Sequence, residues 1–275
     1  LEEINKANSA TGGMLGVPTG FSELDAMTNG FAGGQMIIIA ARPAMGKSTL
    51  ALDVARNASV HAGATTVFFS LEMGRAEIAM RLLAAEATIP MQTLRKGALD
   101  NRDFQKLAAT QARIAEAPLF IDDSPNLTLV EIRAKCRRLK QQHGLKMVVI
   151  DYLQLLSSGK KSESRQQEVS ELSRALKLLS KEIDVPVIAL SQLNRASEQR
   201  ADKMPAISDL RESGSLEQDA DMVILLHREA VGDRDSPRAG EADFILAKQR
   251  NGPTGTVTVA FQGHYSRFQD MPQGV

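Results

Sequence analysis

Residues 37–55 read IIIAARPAMGKSTLALDVA, and this stretch limits the possible folds more than any other part of the chain. Its apolar run shows no polar alternation, the pattern of a strand covered on both faces. STLALDVARNA has helical period, with Leu50, Val54 and Ala58 near one face. Gly46-Lys47-Ser48 stands between the two. Strand, loop and helix in this order place backbone N–H groups around phosphate oxygens at a helix N-terminus. The usual spacing is Gly, four residues, Gly-Lys, then Ser or Thr. Here Ala41 holds the first glycine position, which costs little if the backbone there has no need of positive φ. Lys47 would reach the terminal phosphates and the Ser48 hydroxyl would bind Mg²⁺. Arg42, Pro43, Ala44, Met45, Gly46, Lys47, Ser48 and Thr49 are therefore read as an ATP-binding loop. A chance Gly-Lys-Ser at a helix start is the alternative, and the strand–loop–helix context argues against it.

Further apolar runs follow the same plan: TTVFFSLE, PLFIDD, KMVVIDY, VPVIALSQ and ADMVILLH. The segments between them are helical in period. In LTLVEIRAKCRRLKQQHG, Leu129, Ile132, Cys136 and Leu139 share a face and Gly144 follows as a stop. Strand alternating with helix predicts an α/β fold, a mostly parallel central sheet flanked by helices. Towards the C-terminus, EADFILAKQRNGPTGTVTVAFQ carries two strand-like runs about NGPTG and predicts a β-hairpin. Residues 1–18 are polar, small and Gly-rich and read as a linker remnant, with one domain over 19–275. Ser22 and Asp25 have capping-box spacing. Residues 194–205 and 229–241 read as exposed loops.

The composition excludes several classes. Lys plus Arg and Asp plus Glu both total 33, so nucleic-acid binding would need a local patch. A single cysteine, Cys136, rules out a disulfide framework or a cysteine zinc cluster within the chain. The histidines do not pair at ligand spacing. No apolar run reaches the ~18 residues of a membrane span, and a reducing cytoplasm is the expected setting. The chain opens on Leu1 and is expected to be a fragment of something longer.

A phosphate loop needs a metal-associated acid on a nearby strand. KMVVIDY ends an apolar run in Asp151, at the carboxyl end where open α/β sheets bind ligands; an acid there suits Mg²⁺. VFFSLEM leaves Glu72 just past another strand, either facing a γ-phosphate or merely exposed. VIALSQ ends in Gln192, whose amide can hydrogen-bond a γ-phosphate or a water. Lys248 and Arg250 are two apart and so point the same way from a strand, with Gln249 opposite.

Together ARPAMGKST, FFSLEM, VVIDYLQLL, ALSQLNR, DLRESGSLEQDAD and AKQRNGPTG resemble the ATPase domain of DnaB-type replicative DNA helicases, within the RecA-like class. The resemblance implies a RecA-like P-loop core in which Ala-Arg-Pro opens the phosphate loop, and it makes Glu72 the catalytic base. Gln192 links nucleotide state to DNA, Arg81 contacts nucleotide, and Lys248 and Arg250 reach the γ-phosphate of the next subunit, with Gln249 among the nucleotide contacts. It implies a homohexameric ring and places Arg211, Glu212 and Gly214 on the backbone of single-stranded DNA. It further implies 5′ to 3′ travel, a primase, a helicase loader and replisome components as partners, and a place in the bacterial cytoplasm at the nucleoid. With no Trp and only Tyr152 and Tyr265 as tyrosines, a base-stacking platform is not expected. A RecA-like recombinase filament and a scaffold that uses ATP only to assemble remain alternatives.

Overall fold

The computed structural model describes residues 14–153, 156, 165–195, 200, 203–231 and 236–272, with the side chains of 165, 211–213 and 230 left out of that description. Most of the expected linker and part of both polar loops lie outside it. The first helix, α1 (Ser22–Thr28), corrects the expected capping box. Phe21 is its N-cap, and the Asp25 carboxylate reaches back to accept the N–H groups of Thr19 (2.8 Å) and Gly20 (3.2 Å). Ser22 lies one residue inside the helix, and its hydroxyl donates to Asp270 (2.6 Å). A carboxylate from the far end of the chain thus supplies the contact expected locally.

The alternation of strands and helices is as the apolar periodicity predicts. In chain order these are β1 (Met36–Ala41), α2 (Lys47–Arg56), β2 (Thr66–Ser70), α3 (Arg75–Ala87), α4 (Met91–Lys96), α5 (Asn101–Glu116), β3 (Leu119–Asp122), α6 (Leu129–His143), β4 (Met147–Asp151), α7 (Arg165–Ile183) and β5 (Val187–Gln192). A 3₁₀ turn (Ile207–Ser213) leads into α8 (Gly214–Asp219), then β6 (Met222–His227), β7 (Glu241–Gln249), β8 (Gly255–Gln262) and β9 (Arg267–Asp270). The strands form one sheet in the order β3-β2-β4-β5-β1-β6-β7-β8-β9. The pairs from β3 to β6 are parallel and those from β6 to β9 antiparallel.

β1 is fully buried and alternates between two layers, as a period of two requires. Ile37 and Ile39 join Leu50, Val54, Phe68 and Phe244 on one face. Met36 and Ile38 join Ile132, Leu172 and Leu176 on the other. Helix α6 buries Ile132 and Cys136 and stops at Gly144 in the left-handed region. Burial pushes the Cys136 thiol up to about 12, so it is a protonated core group. β3 differs from expectation. It is half-buried throughout rather than covered on both faces, because it is the edge of the sheet. The predicted hairpin is β7–β8, and β9, which the apolar pattern did not reveal, pairs outside it. The Phe268 N–H of β9 donates to Asp53 (2.6 Å), tying the far edge of the sheet to the helix that follows the phosphate loop.

Candidate functional site

The loop after β1 explains its departure from the usual spacing. Ala41 is the last residue of the strand, paired with Gln192 and Leu226, and is buried in extended backbone. Nothing there requires glycine. The positive-φ positions lie further on, at Ala44 (φ 67°) and Gly46 (φ 102°). A Cβ on Gly46 would stand 3.0 Å from the Phe268 ring, so glycine is needed for both space and conformation. Lys47 then opens α2.

A cleft of about 610 Å³ lies over this loop, a volume suited to a nucleotide. Its floor holds Lys47, whose ammonium is 3.6 Å from an Asp151 oxygen and 4.1 Å above the Tyr152 ring. Burial lowers the lysine below its ordinary value, while Asp151 and Glu72 pull it back up. Asp151 has no exposed surface, and both its oxygens lack a hydrogen-bond partner. The pair at 3.6 Å is an ion contact, too long for a hydrogen bond. Two such oxygens under a cation are costly to bury unless a further ligand completes them.

Glu72 and Gln192 both line the cleft and are exposed to it. Parallel pairing leaves both at the carboxyl end of the sheet: Glu72 follows Ser70, which pairs with Asp151 at the end of β4, and Gln192 ends β5 beside Ala41, about two residues beyond the level of Asp151. Arg42, Pro43, Ala44, Gly46, Ser48 and Thr49 also line the cleft. Met45 packs against the core beneath the loop. Arg42 donates to the Leu193 carbonyl (2.7 Å), which holds the loop beside the end of β5. Arg81 stands on the opposite wall, paired with Glu77 (2.8 Å) and 3.4 Å from the Ser266 hydroxyl.

Sequence reasoning missed the wall built by β6 and β8. Arg228 lies 3.5 Å over the Phe261 ring and donates to the Ala44 carbonyl (3.3 Å). Its Nε is buried without a partner, and burial lowers its pKa. One local signal existed, a cation directly after the apolar run ADMVILLH. Its partner Phe261 is more than thirty residues away, and no spacing rule joins the two.

Lys248 and Arg250 lie at the other end of the sheet. Gln249 pairs with Met222, the first residue of β6, whereas Ala41 pairs with Leu226 near its last. Both cations turn to the same side, as expected, and donate to the end of α8: Lys248 to the Glu217 carbonyl (2.5 Å), Arg250 to that of Gln218 (2.8 Å). Gln249 faces away and donates to the Met27 carbonyl (3.2 Å). The expected DNA contacts sit just before. Residues 211 and 212 belong to the 3₁₀ turn, but the side chains of Arg211 and Glu212 lie outside the described ones. Gly214 begins α8 and is exposed. Among the described residues no three His, Cys, Asp or Glu cluster as metal ligands, and no helix is long and apolar enough to cross a membrane.

Comparison with known proteins agrees with this geometry. Residues 16–270 match the DnaB-like helicase C-terminal domain. The replicative DNA helicase DnaB of Leifsonia xyli is 71% identical over 271 residues, which cover 98% of this chain and 59% of that protein. The chain spans about 60% or less of the length of the curated relatives it matches. One solved ATPase domain superposes with a TM-score of 0.93 at 41% identity, covering 98% of this chain and 96% of that one. A DnaB-like replicative helicase, solved in work on its interactions with primase, superposes at 0.92 and 41% identity over 98% of this chain and 65% of that one. The fold is the RecA-like ATPase fold.

Proposed function

The chain belongs to the DnaB-like helicase C-terminal domain family, and from that premise we propose that it hydrolyses ATP between neighbouring copies of itself to drive movement along single-stranded DNA. The observation that carries this reading is the separation of Lys248 and Arg250 from their own cleft. From the level of Gln249 to that of Ala41 is four residues along β6, about 13 Å at strand rise, and the side chains turn away from the cleft. Cations so placed serve a phosphate only in a neighbour's cleft, and the proposed assembly is a homohexameric ring.

Within one cleft the division of labour follows the positions. Backbone N–H groups of residues 44–48 and the Lys47 ammonium hold the phosphates. Arg81 and, from the neighbour, Gln249 contribute further nucleotide contacts. Mg²⁺ fits the donors present: Ser48 offers a hydroxyl at the cleft, and Asp151 offers two buried oxygens with no hydrogen-bond partner, one of them in ion contact with Lys47. When bound it neutralises charge on the phosphates. Glu72 orients the attacking water and takes its proton. Lys248 and Arg250 stabilise the charge that develops on the γ-phosphate, a contribution on the order of 10³–10⁵ in rate for a trans arginine. Gln192, level with the loop on the adjacent strand, reports the nucleotide state towards the segment of Arg211, Glu212 and Gly214, which holds the DNA backbone. The strand passes through the ring while its complement is excluded, so duplex DNA unwinds at a replication fork in the bacterial cytoplasm. Primase is a fitting partner, since a 41% identical DnaB-like helicase has been solved in work on its interactions with primase; a loader and other replisome components complete the proposed set.

The test is ATP turnover of the full-length assembled protein with and without single-stranded DNA, for wild type and Arg250→Ala. Wild type should be stimulated by DNA. The variant should lose turnover by about a thousandfold or more while retaining nucleotide binding. Variant turnover near wild type refutes completion by a neighbour, and turnover indifferent to DNA refutes the motor.

A further inference from the structure

The proposed trans cations are held in a cradle formed by the end of the short helix that follows the proposed DNA segment and by Asp221, just past that helix. Lys248 donates to the Glu217 carbonyl (2.5 Å) and approaches that of Gln218 (3.4 Å). Arg250 donates to the Gln218 carbonyl (2.8 Å) from its side chain and to the Asp221 carbonyl (2.9 Å) from its backbone. Its guanidinium also stands 3.5 Å from an Asp221 carboxylate oxygen. The carbonyls at a helix C-terminus carry partial negative charge, so the last turn of α8 attracts both cations.

Asp221 is fixed from behind. Its other carboxylate oxygen accepts from the Lys177 ammonium (2.5 Å) and from the Met36 N–H (2.7 Å), and Lys177 also donates to the Gly34 carbonyl (2.9 Å). The start of β1, helix α7 and the start of β6 therefore converge on one carboxylate. Helix α8 is pinned to α7 by the Ser173 hydroxyl, which donates to Asp219 (2.7 Å), and by buried Leu216. Asp221 is largely covered, at 14% exposure, while Arg250 at 47% remains accessible to another copy. Fixed anchor and accessible cation are the arrangement of a positioned group.

Resting on the trans-completion reading above, we propose that Asp221 and the last turn of α8 are the positioning element for the Lys248–Arg250 pair, and that α8 thereby couples DNA held at residues 211–214 to the nucleotide of the neighbouring copy. A shift of α8 at its Gly214 end moves the carbonyls on which the cations rest, and so moves the cations relative to the neighbour's γ-phosphate. Asp221 touches neither ligand and acts only through Arg250.

Asp221→Asn in the full-length assembled protein tests this. The amide oxygen still accepts the Met36 N–H, while the charge facing Arg250 is gone. DNA stimulation of kcat should fall about fivefold, the size of a partly exposed ion-pair contribution, with KM for ATP unchanged. Asp221→Glu should recover part of the stimulation. Lys177→Met removes one of the two groups that hold Asp221 but leaves its Met36 N–H bond and its contact with Arg250, so it should lose clearly less stimulation than Asp221→Asn. Should Asp221→Asn fail to fold, Asp221→Glu and Lys177→Met carry the comparison. Full stimulation in Asp221→Asn beside lost turnover in Arg250→Ala overturns the cradle and leaves trans completion standing. Loss of stimulation shared equally by Lys177→Met also overturns it, since general loosening of α7 then explains the effect. Wild-type turnover in Arg250→Ala defeats the parent reading instead.

Discussion

Gly46→Ala is the substitution whose cost follows most directly from the geometry. Residue 46 has φ 102° and ψ 25°, a conformation that costs an L side chain about 1–2 kcal/mol. Its Cβ would also lie 3.0 Å from Phe268 Cζ and 3.3 Å from Cε2. Phe268 cannot easily yield, because it is 2% exposed and its ring packs edge-on to Phe244 and against Phe261. Overpacking of that kind costs about 1–3 kcal/mol. The two costs together come to about 2–5 kcal/mol, shared between global stability and distortion of the loop. Urea unfolding reads the first share and titration with a fluorescent ATP analogue the second, where about 3 kcal/mol is more than a hundredfold in Kd. Ala41→Gly is the informative companion. It restores the motif's usual first glycine, yet Ala41 sits in a buried strand, so the change should cost about 0.5–1 kcal/mol and bring no gain in affinity. Wild-type unfolding and wild-type nucleotide affinity in Gly46→Ala, or tighter binding in Ala41→Gly, would refute this account of the loop.

Burial pushes the Asp53 carboxyl up to about 6 against the opposing pulls of Arg56 and the Phe268 N–H. The folded-state value lies above the ordinary 3.8, so its contribution to stability is fully present below pH 3.8 and is lost as pH rises through about 6. The loss is about 3 kcal/mol, and the stability difference between wild type and Asp53→Asn should change by most of that amount between about pH 4 and pH 7 in urea unfolding; a constant difference contradicts it. Lys47→Ala should lose tight ATP binding, whereas Glu72→Ala should bind ATP and hydrolyse it about 10²–10⁴-fold more slowly, which equilibrium binding and single-turnover rates separate. Arg211→Ala should weaken single-stranded DNA binding on all sequences alike and lower the slope of log K against log salt by about 1; a loss restricted to particular sequences argues against a backbone contact.

Features that depend on neighbouring residues were legible in the chain. Strand and helix order followed from apolar period, and Gly46-Lys47-Ser48 followed from local spacing. Asp151, Glu72 and Gln192 were legible because each ends or closely follows an apolar run, and parallel strands leave such ends on one edge of the sheet. The family wording of the motifs added roles to those positions. Packing of the whole chain settled what depends on strand order and on contacts between distant segments. It put Ala41 in extended backbone and Gly46 against Phe268, which explains why one motif glycine is dispensable. It made β3 an edge and gave the start of α1 its contact from Asp270. It set Arg228 on Phe261 beside the loop, and it carried Lys248 and Arg250 to the opposite end of the strands, onto the carbonyls of α8. Backbone period is written in adjacent side chains, whereas these placements arise from packing the whole sheet, which no short stretch encodes.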